Sequence, residues 1–244
     1  MKPLDFIGPA YQSRSANYSS QRCINLYLEG GKGKGPAVLI GTPGLTAPWV
    51  TLATDRLRGI HVLNASTLIA VAGGVIYKIT TTGVATSLGA IADDGRMVQI
   101  TSDGTNHVVC SGGNLYSFTL AGVTSVIKTG ISSVDYIDSR FVATLSNSST
   151  FTWSDVEDAD IPTYSTDFNA LSIGYTNGTP DAIQRVLVSR RTIYFVGEQS
   201  LEQWYDTGGA DIPFSRIDGG FFEVGCIAKD SVAEMDGVFW LGGD

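Results

Sequence analysis

The sequence predicts an all-β fold: a β-propeller of four-stranded blades, with an extended N-terminal arm. Composition gives the first reason. The 244 residues include 29 glycines and 46 serines and threonines, but only six glutamates and six lysines. Exposed helix faces are built largely from Glu and Lys, so bundles and coiled coils are excluded and α/β folds are disfavoured. Hydrophobic residues at 43% against 16% charged argue for a packed core and against disorder. The second reason is a repeat. Thr67 to Ile79 reads as a strand, a Gly-Gly turn and a second strand, and Val108 to Phe118 repeats it with Gly112 standing 39 residues after Gly73 and Tyr116 matching Tyr77. The third is a further pair of strand-like stretches in each unit, such as Val84 to Leu88 and Val123 to Ile127. Four short strands at this period are the signature of propeller blades, because a lone sheet cannot cover its two apolar faces and radial stacking lets neighbours do so. A sandwich lacks repeats of this length, and a β-solenoid repeats at shorter intervals.

Residues 1–56 form the arm. Five of the eight prolines lie within the first 50 residues, and the run Gly30-Gly31-Lys32-Gly33-Lys34-Gly35 is flanked by the strand-like pieces Cys23 to Leu28 and Ala37 to Ile40. Extended segments joined by a Gly/Lys loop fit this pattern. Residues 57–244 hold the blades. Looser copies of the repeat run from Phe141 to Trp153, turning at Ser146-Asn147, from Ile193 to Trp204, turning at Gly197, and from Val238 to Gly243, turning at Gly242. The last copy stops before its returning strand, so the chain is expected to end in mid-blade, as a fragment would. Trp153, Trp204 and Trp240 recur beside blade turns and are expected in packing. Glu202 is expected to cap an inter-blade turn, and Arg190-Arg191 to sit on the hairpin entering the fourth copy.

Charge is uneven. The chain carries −8 overall, with +4 in residues 1–60 and −12 in residues 61–244. An acidic body does not hold DNA or an anionic membrane by bulk attraction. No apolar stretch has the length of a signal peptide or a membrane span. Cys23, Cys110 and Cys226 are odd in number and far apart, which reads as reduced thiols of a protein made in a cytoplasm.

Catalytic and cofactor motifs are sought without success. His61 and His107, the two histidines, have no metal-ligand spacing around them. The cluster Asp155, Glu157, Asp158 and Asp160 lacks the order and the turn glycine of a calcium loop, and reads as a solvated blade-connecting loop. Gly31 to Gly35 is followed by Pro36 and an extended run, not by the helix a phosphate loop requires. Ser146 to Trp153 matches the Ser, Thr and Trp of sialidase-type turn boxes but has Ser148 and Thr150 where Asp and Gly belong. No G-x-S-x-G elbow occurs. No enzyme, cofactor or metal is therefore expected. A glycan-binding module and a glycan-cleaving enzyme built on the propeller are the alternatives.

Two groups of segments point further. The first is Tyr11 to Ser15, Gln21 to Tyr27 and Gly41 to Leu45. The second is Thr179-Pro180-Asp181, Val196 to Gly208, Asp211 to Phe214, Gly225-Cys226 and Val238 to Asp244. In this order they resemble the packaged-DNA stabilisation proteins of short-tailed bacteriophages, also known as tail hub or nozzle proteins. Leu28 departs from the Pro of many relatives, and the family's chains continue past the position of Asp244. The resemblance implies a structural protein of the virion tail, made in the bacterial host cytoplasm. It would form a homo-oligomeric ring, a hexamer, below the portal and adaptor and above distal tail proteins. The ring would extend the channel for double-stranded DNA, which it meets without sequence specificity, and would retain the packaged genome; no membrane partner is implied. On that reading Arg14, Arg22, Asn25 and Tyr27 are candidates for subunit docking, and Asp155, Glu157, Asp158 and Asp160 for an acidic loop facing the channel.

Overall fold

A computed structural model describes residues 25–30, 37–44, 48–52, 56–155, 168–209, 211–240 and 242. The chain divides into two compact units, Met1–Trp49 and Val50–Asp244. In the first, β1 (Leu26–Gly30) and β2 (Ala37–Gly41) pair antiparallel, with Tyr27 opposite Ile40 and Leu28 opposite Leu39. The two strand-like pieces flanking the Gly/Lys run are thus the two sides of a hairpin.

Among its described residues the second unit has four sheets of four strands each, every one a simple antiparallel meander. The first blade is β3 (Leu57–Asn64), β4 (Thr67–Ala72), β5 (Val75–Thr80) and β6 (Ala85–Ala90). The second is β7 (Gln99–Ser102), β8 (His107–Ser111), β9 (Asn114–Thr119) and β10 (Gly122–Thr129). The third is β11 (Ile131–Ile137), β12 (Arg140–Leu145), β13 (Thr150–Trp153) and β14 (Ile173–Tyr175). The fourth is β15 (Ile183–Ser189), β16 (Thr192–Gly197), β17 (Leu201–Asp206) and β18 (Phe214–Phe222). A short pair, β19 (Ala233–Glu234) and β20 (Val238–Phe239), follows, with a single bridge between Cys226 and Gly242. Successive meanders without Greek-key crossings give the blades of a propeller, as the sequence predicts, and exclude a sandwich.

The first strand of each blade is the inner one: β3 packs on β7, β7 on β11, and β11 on β15. Side-chain alternation explains how the blades adhere. In β4, Ile69 and Val71 enter the cluster shared with the second blade, while Ala70 and Ala72 face the other way, where Val50 and Leu52 pack against them. In β8, Val109 faces the first blade, while Val108 and Cys110 face the third. In β12, Phe141 and Ala143 face back, and Val142 faces the fourth blade. Both faces are buried, so these central strands read as continuous apolar runs while still obeying a period of two. Ring–ring contacts gather between the third and fourth blades. There the ring of Phe151 stacks on Phe195 at 4.4 Å between centroids and meets Trp204 edge-on at 5.2 Å. Trp153 meets Phe214 edge-on in the same cluster, so Trp153 and Trp204 are packing residues.

The acidic segment after Trp153 joins β13 to β14 and so lies within the third blade. It does not connect blades, because β14 still has to return beside β13 before the chain crosses to β15. His61 lies in the middle of β3 opposite Ile69, whereas His107 opens β8, packs its ring at a tilt against Phe118 and bonds Ser102 through Nδ1 at 2.7 Å. No helix among the described residues is long and apolar enough to cross a membrane.

Candidate functional site

Of the docking candidates, Asn25 and Tyr27 lie among the described residues. Asn25 takes a left-handed φ of 55°, which Asn tolerates better than most residues, and its carbonyl accepts the Thr42 N–H at 2.9 Å to close the open end of the β1–β2 hairpin. Tyr27 is 46% exposed, and Leu26, Val38 and Leu39 are exposed beside it. A two-stranded ribbon that shows so much apolar surface is marginal by itself. Arg14 and Arg22 lie outside the described residues. Asp155 is half-buried just past β13, and Glu157, Asp158 and Asp160 lie outside the described residues.

The polar side chains the fold does bring together are joints between blades. Arg58, on β3, is fully buried, and all its N–H groups have acceptors. Nε donates to Arg96 O at 2.7 Å, and Nη1 to Gly73 O and Ala92 O, each at 3.0 Å. Nη2 donates to Ser111 Oγ at 2.9 Å and to Asp94 Oδ1. One guanidinium therefore ties the first blade, its exit segment and the second blade's turn. Burial works to raise the Asp94 carboxyl, but the Arg96 N–H bond and the Arg58 charge outweigh it and hold it below its ordinary range.

Nearer the axis, Gln99 on β7 reaches two other inner strands. Its Nε2 donates to Val186 O at 3.1 Å, and its Oε1 accepts from Ser133 Oγ at 2.6 Å and Val134 N at 3.1 Å. Asp135, on β11, accepts from Val188 N at 2.7 Å, Tyr136 N at 2.8 Å and Thr101 Oγ1 at 3.3 Å. Burial nonetheless dominates these bonds and pushes its carboxyl up to about 6.

The segments that carry the family resemblance form another joint. Asp181 caps the β16–β17 turn, accepting N–H bonds from Glu198, Gln199 and Ser200 at 3.1, 2.8 and 2.9 Å. Any Cβ on Gly197 would strike that carboxylate, and one on Gly225 would strike the Glu198 carbonyl. Cys226 N then bonds Gly197 O at 2.9 Å, and Trp240 Nε1 bonds Gly225 O at 3.0 Å. Glu202, buried, accepts from Gly178 N at 2.6 Å and Trp204 Nε1 at 2.8 Å, so it caps the passage from the third blade to the fourth. Arg190 and Arg191 form the β15–β16 hairpin turn, and Arg191 pairs with Asp138 at 2.9 Å.

Spacing has no means of revealing Arg58, Gln99 or Asp135, whose partners, apart from the Tyr136 N–H beside Asp135, lie 15 to 87 residues away. Among the described residues no group of three or more His, Cys, Asp or Glu is placed to hold a metal ion. Cys110 is buried, and burial pushes its thiol up to about 12, which leaves it inert as a nucleophile.

Comparison with known proteins adds a family. A family model described as phage stabilisation, bacteriophage P22 Gp10, β-propeller, matches residues 3–244. No curated protein matches the chain significantly. Solved structures of similar form include the computationally designed Ika4 protein, at 9% identity and a TM-score of 0.47, covering 66% of this chain and 99% of Ika4. Another is PorZ of the Porphyromonas gingivalis type-IX secretion system, at 12% identity and a TM-score of 0.49, where 79% of this chain spans 25% of PorZ. A third is a chain of the S. cerevisiae complex of Dbp5 with Nup159 and Gle1, at 10% identity and a TM-score of 0.46, with 79% and 58% covered.

Proposed function

This chain belongs to the phage stabilisation family and is a structural bacteriophage protein; on that premise we propose that it is a tail hub, a ring below the portal and adaptor that extends the DNA channel and retains the packaged genome. Family membership across residues 3–244 is the observation that carries the reading. Physical properties of the chain support it. Packaged duplex carries one negative charge per ~1.7 Å of its axis and repels itself, so the exit has to be closed by something that does not yield. Blades joined by buried apolar faces and by hydrogen-bonded side chains such as buried Arg58 and half-buried Gln99 and Asp135 have few low-energy openings. An acidic body repels DNA, which favours passage over adhesion.

Ring formation is assigned to the arm. The apolar ribbon around Tyr27 needs a cover, and the +4 of residues 1–60 complements the −12 of the remainder. The occupant proposed is a neighbouring copy of the same chain, with Arg14, Arg22, Asn25 and Tyr27 at the interface and distal tail proteins below.

Genome retention in phage heads that lack this protein tests the reading. Heads that fill normally and then empty spontaneously support it. Heads that stay full but fail to adsorb, or fail to penetrate host glycan, overturn it in favour of a glycan-binding or glycan-cleaving propeller.

A further inference from the structure

At the end of the propeller where the chain passes from blade to blade, the inner strands open onto a cavity of ≈ 270 Å³. That is room for several waters or for a small anion. Four successive units contribute to it. Arg96 comes from the segment entering β7, Ser132 from β11, Asn147 from the β12–β13 turn, Arg185 from β15, and Lys229 from the segment before β19.

The charges converging here are unequally matched. The Asp94 carboxylate is engaged by Arg58 and by the Arg96 backbone N–H. Asp230 lies 3.8 Å from Arg185 Nη1, a loose pairing. No carboxylate among the described residues lies within ion-pair distance of the Arg96 or Lys229 side chains. The Nε–H of Arg185 is buried and has no hydrogen-bond partner among the described residues. A buried donor without an acceptor is costly, and burial also works against the Arg185 charge. Guanidinium and ammonium groups only donate, so the chemistry this site lacks is an acceptor with more than one negative charge.

We propose that this cavity binds a small oxyanion of the phosphate class, with Arg185 as its buried anchor and Arg96 and Lys229 closing over it. Phosphate carries more than one negative charge at neutral pH and presents several acceptor oxygens, which suits a guanidinium head whose carboxylate neighbour stands off at 3.8 Å and which shares the cavity wall with two further cations. Bound there, it bridges the lead-ins of the second, third and fourth blades and the segment that follows the fourth.

The test is calorimetric titration of the full chain with sodium phosphate, at ionic strength held constant with sodium chloride, together with thermal unfolding over the same range. The expected result is saturable heat in the millimolar range or below, and a rise in Tm that follows the logarithm of one plus the ratio of phosphate concentration to Kd. Arg185→Gln abolishes both. Because that variant removes a largely buried side chain, Arg96→Ser and Lys229→Met serve beside it; each sits at the rim and weakens binding by about tenfold while leaving the phosphate-free Tm near wild type. Phosphate displaced by a deoxynucleoside monophosphate assigns the site to a nucleotide's ester end, and phosphate that resists displacement assigns it to the free ion; both keep the oxyanion site. Absence of heat overturns the proposal. So does a rise in Tm that is linear in phosphate concentration and equal in wild type and variants, which is the signature of an excluded kosmotropic salt.

Discussion

Asp135 accepts three hydrogen bonds and is still driven towards its neutral form, because its burial at the meeting of β7, β11 and β15 outweighs them. This has a measurable pH signature. Between its ordinary pKa of 3.8 and a folded value of about 6, the carboxyl is ionised in the unfolded chain but protonated in the folded one. The unfolded state then binds fewer protons, so this group's contribution to stability falls as pH rises through that window, by up to about 3 kcal/mol. Urea unfolding at pH 4 and pH 6.5 should show that decline in the wild type and lose it in Asp135→Asn. The variant is also expected to be about 1–3 kcal/mol less stable at the lower pH, because an amide nitrogen must then face an N–H that the carboxyl accepts. A pH slope identical in both proteins would mean that Asp135 titrates normally. Arg58 is the complementary case, a buried cation in which every donor is met. Arg58→Ala takes this donor from the carbonyls of Gly73 and Arg96 and leaves Asp94 and the Ala92 carbonyl with fewer partners, and should cost about 3–5 kcal/mol in the same assay. A loss below about 1 kcal/mol would show that water replaces the guanidinium there.

At the scale of the strand and the turn, the sequence is readable where the backbone imposes a residue type, and unreadable where distant packing does. The Gly73 and Gly112 turns are legible because both residues adopt positive φ, at 53° and 57°, a conformation that glycine enters without strain. The β11–β12 turn at Asp138-Ser139 is harder to read, and the β15–β16 turn falls at Arg190-Arg191 as the sequence suggests, although neither uses the glycine that enters this left-handed geometry without strain. Tertiary interactions hold the second of them: Arg191 to Asp138 and Arg190 Nη2 to Asp236 O at 3.0 Å. β14 is equally hidden, because only three residues return beside β13 after the acidic loop, and Gly174 occupies the middle position. The reason for that glycine lies in the neighbouring strand. A Cβ at Gly174 would enter the ring of Phe151, which is itself fixed between Phe195 and Trp204. Gly174→Ala is therefore expected to cost about 1–3 kcal/mol through overpacking. Gly122→Ala is the control, since its Cβ would lie 3.4 Å from Leu88 O, and it should cost less than about 1 kcal/mol. Equal midpoints for the two variants in thermal unfolding would show that β14 simply moves aside.

At the scale of the whole molecule, the four blades are visible as a repeat, but the joints that make them one body are not, since Gln99 and Val186 meet 87 residues apart with no pattern linking them. The docking and channel assignments depend on charge distribution, which the sequence does print. The last prediction concerns that charge. If the acidic loop flanks the channel of the ring, then replacing Asp155, Glu157, Asp158 and Asp160 with Lys turns a repelling surface into one that pairs with phosphates. Every phosphate so neutralised makes adhesion depend on salt, with a logarithmic slope of about −0.9 per phosphate for duplex DNA. DNA ejection from phage carrying the variant should accordingly be slower than wild type at low salt and approach the wild-type rate as salt is raised. Rate measurements across a salt series separate this from mere misassembly, which slows ejection at every ionic strength. An ejection rate unchanged at low salt would remove the loop from the channel wall and leave the acidic charge to the outer surface of the ring.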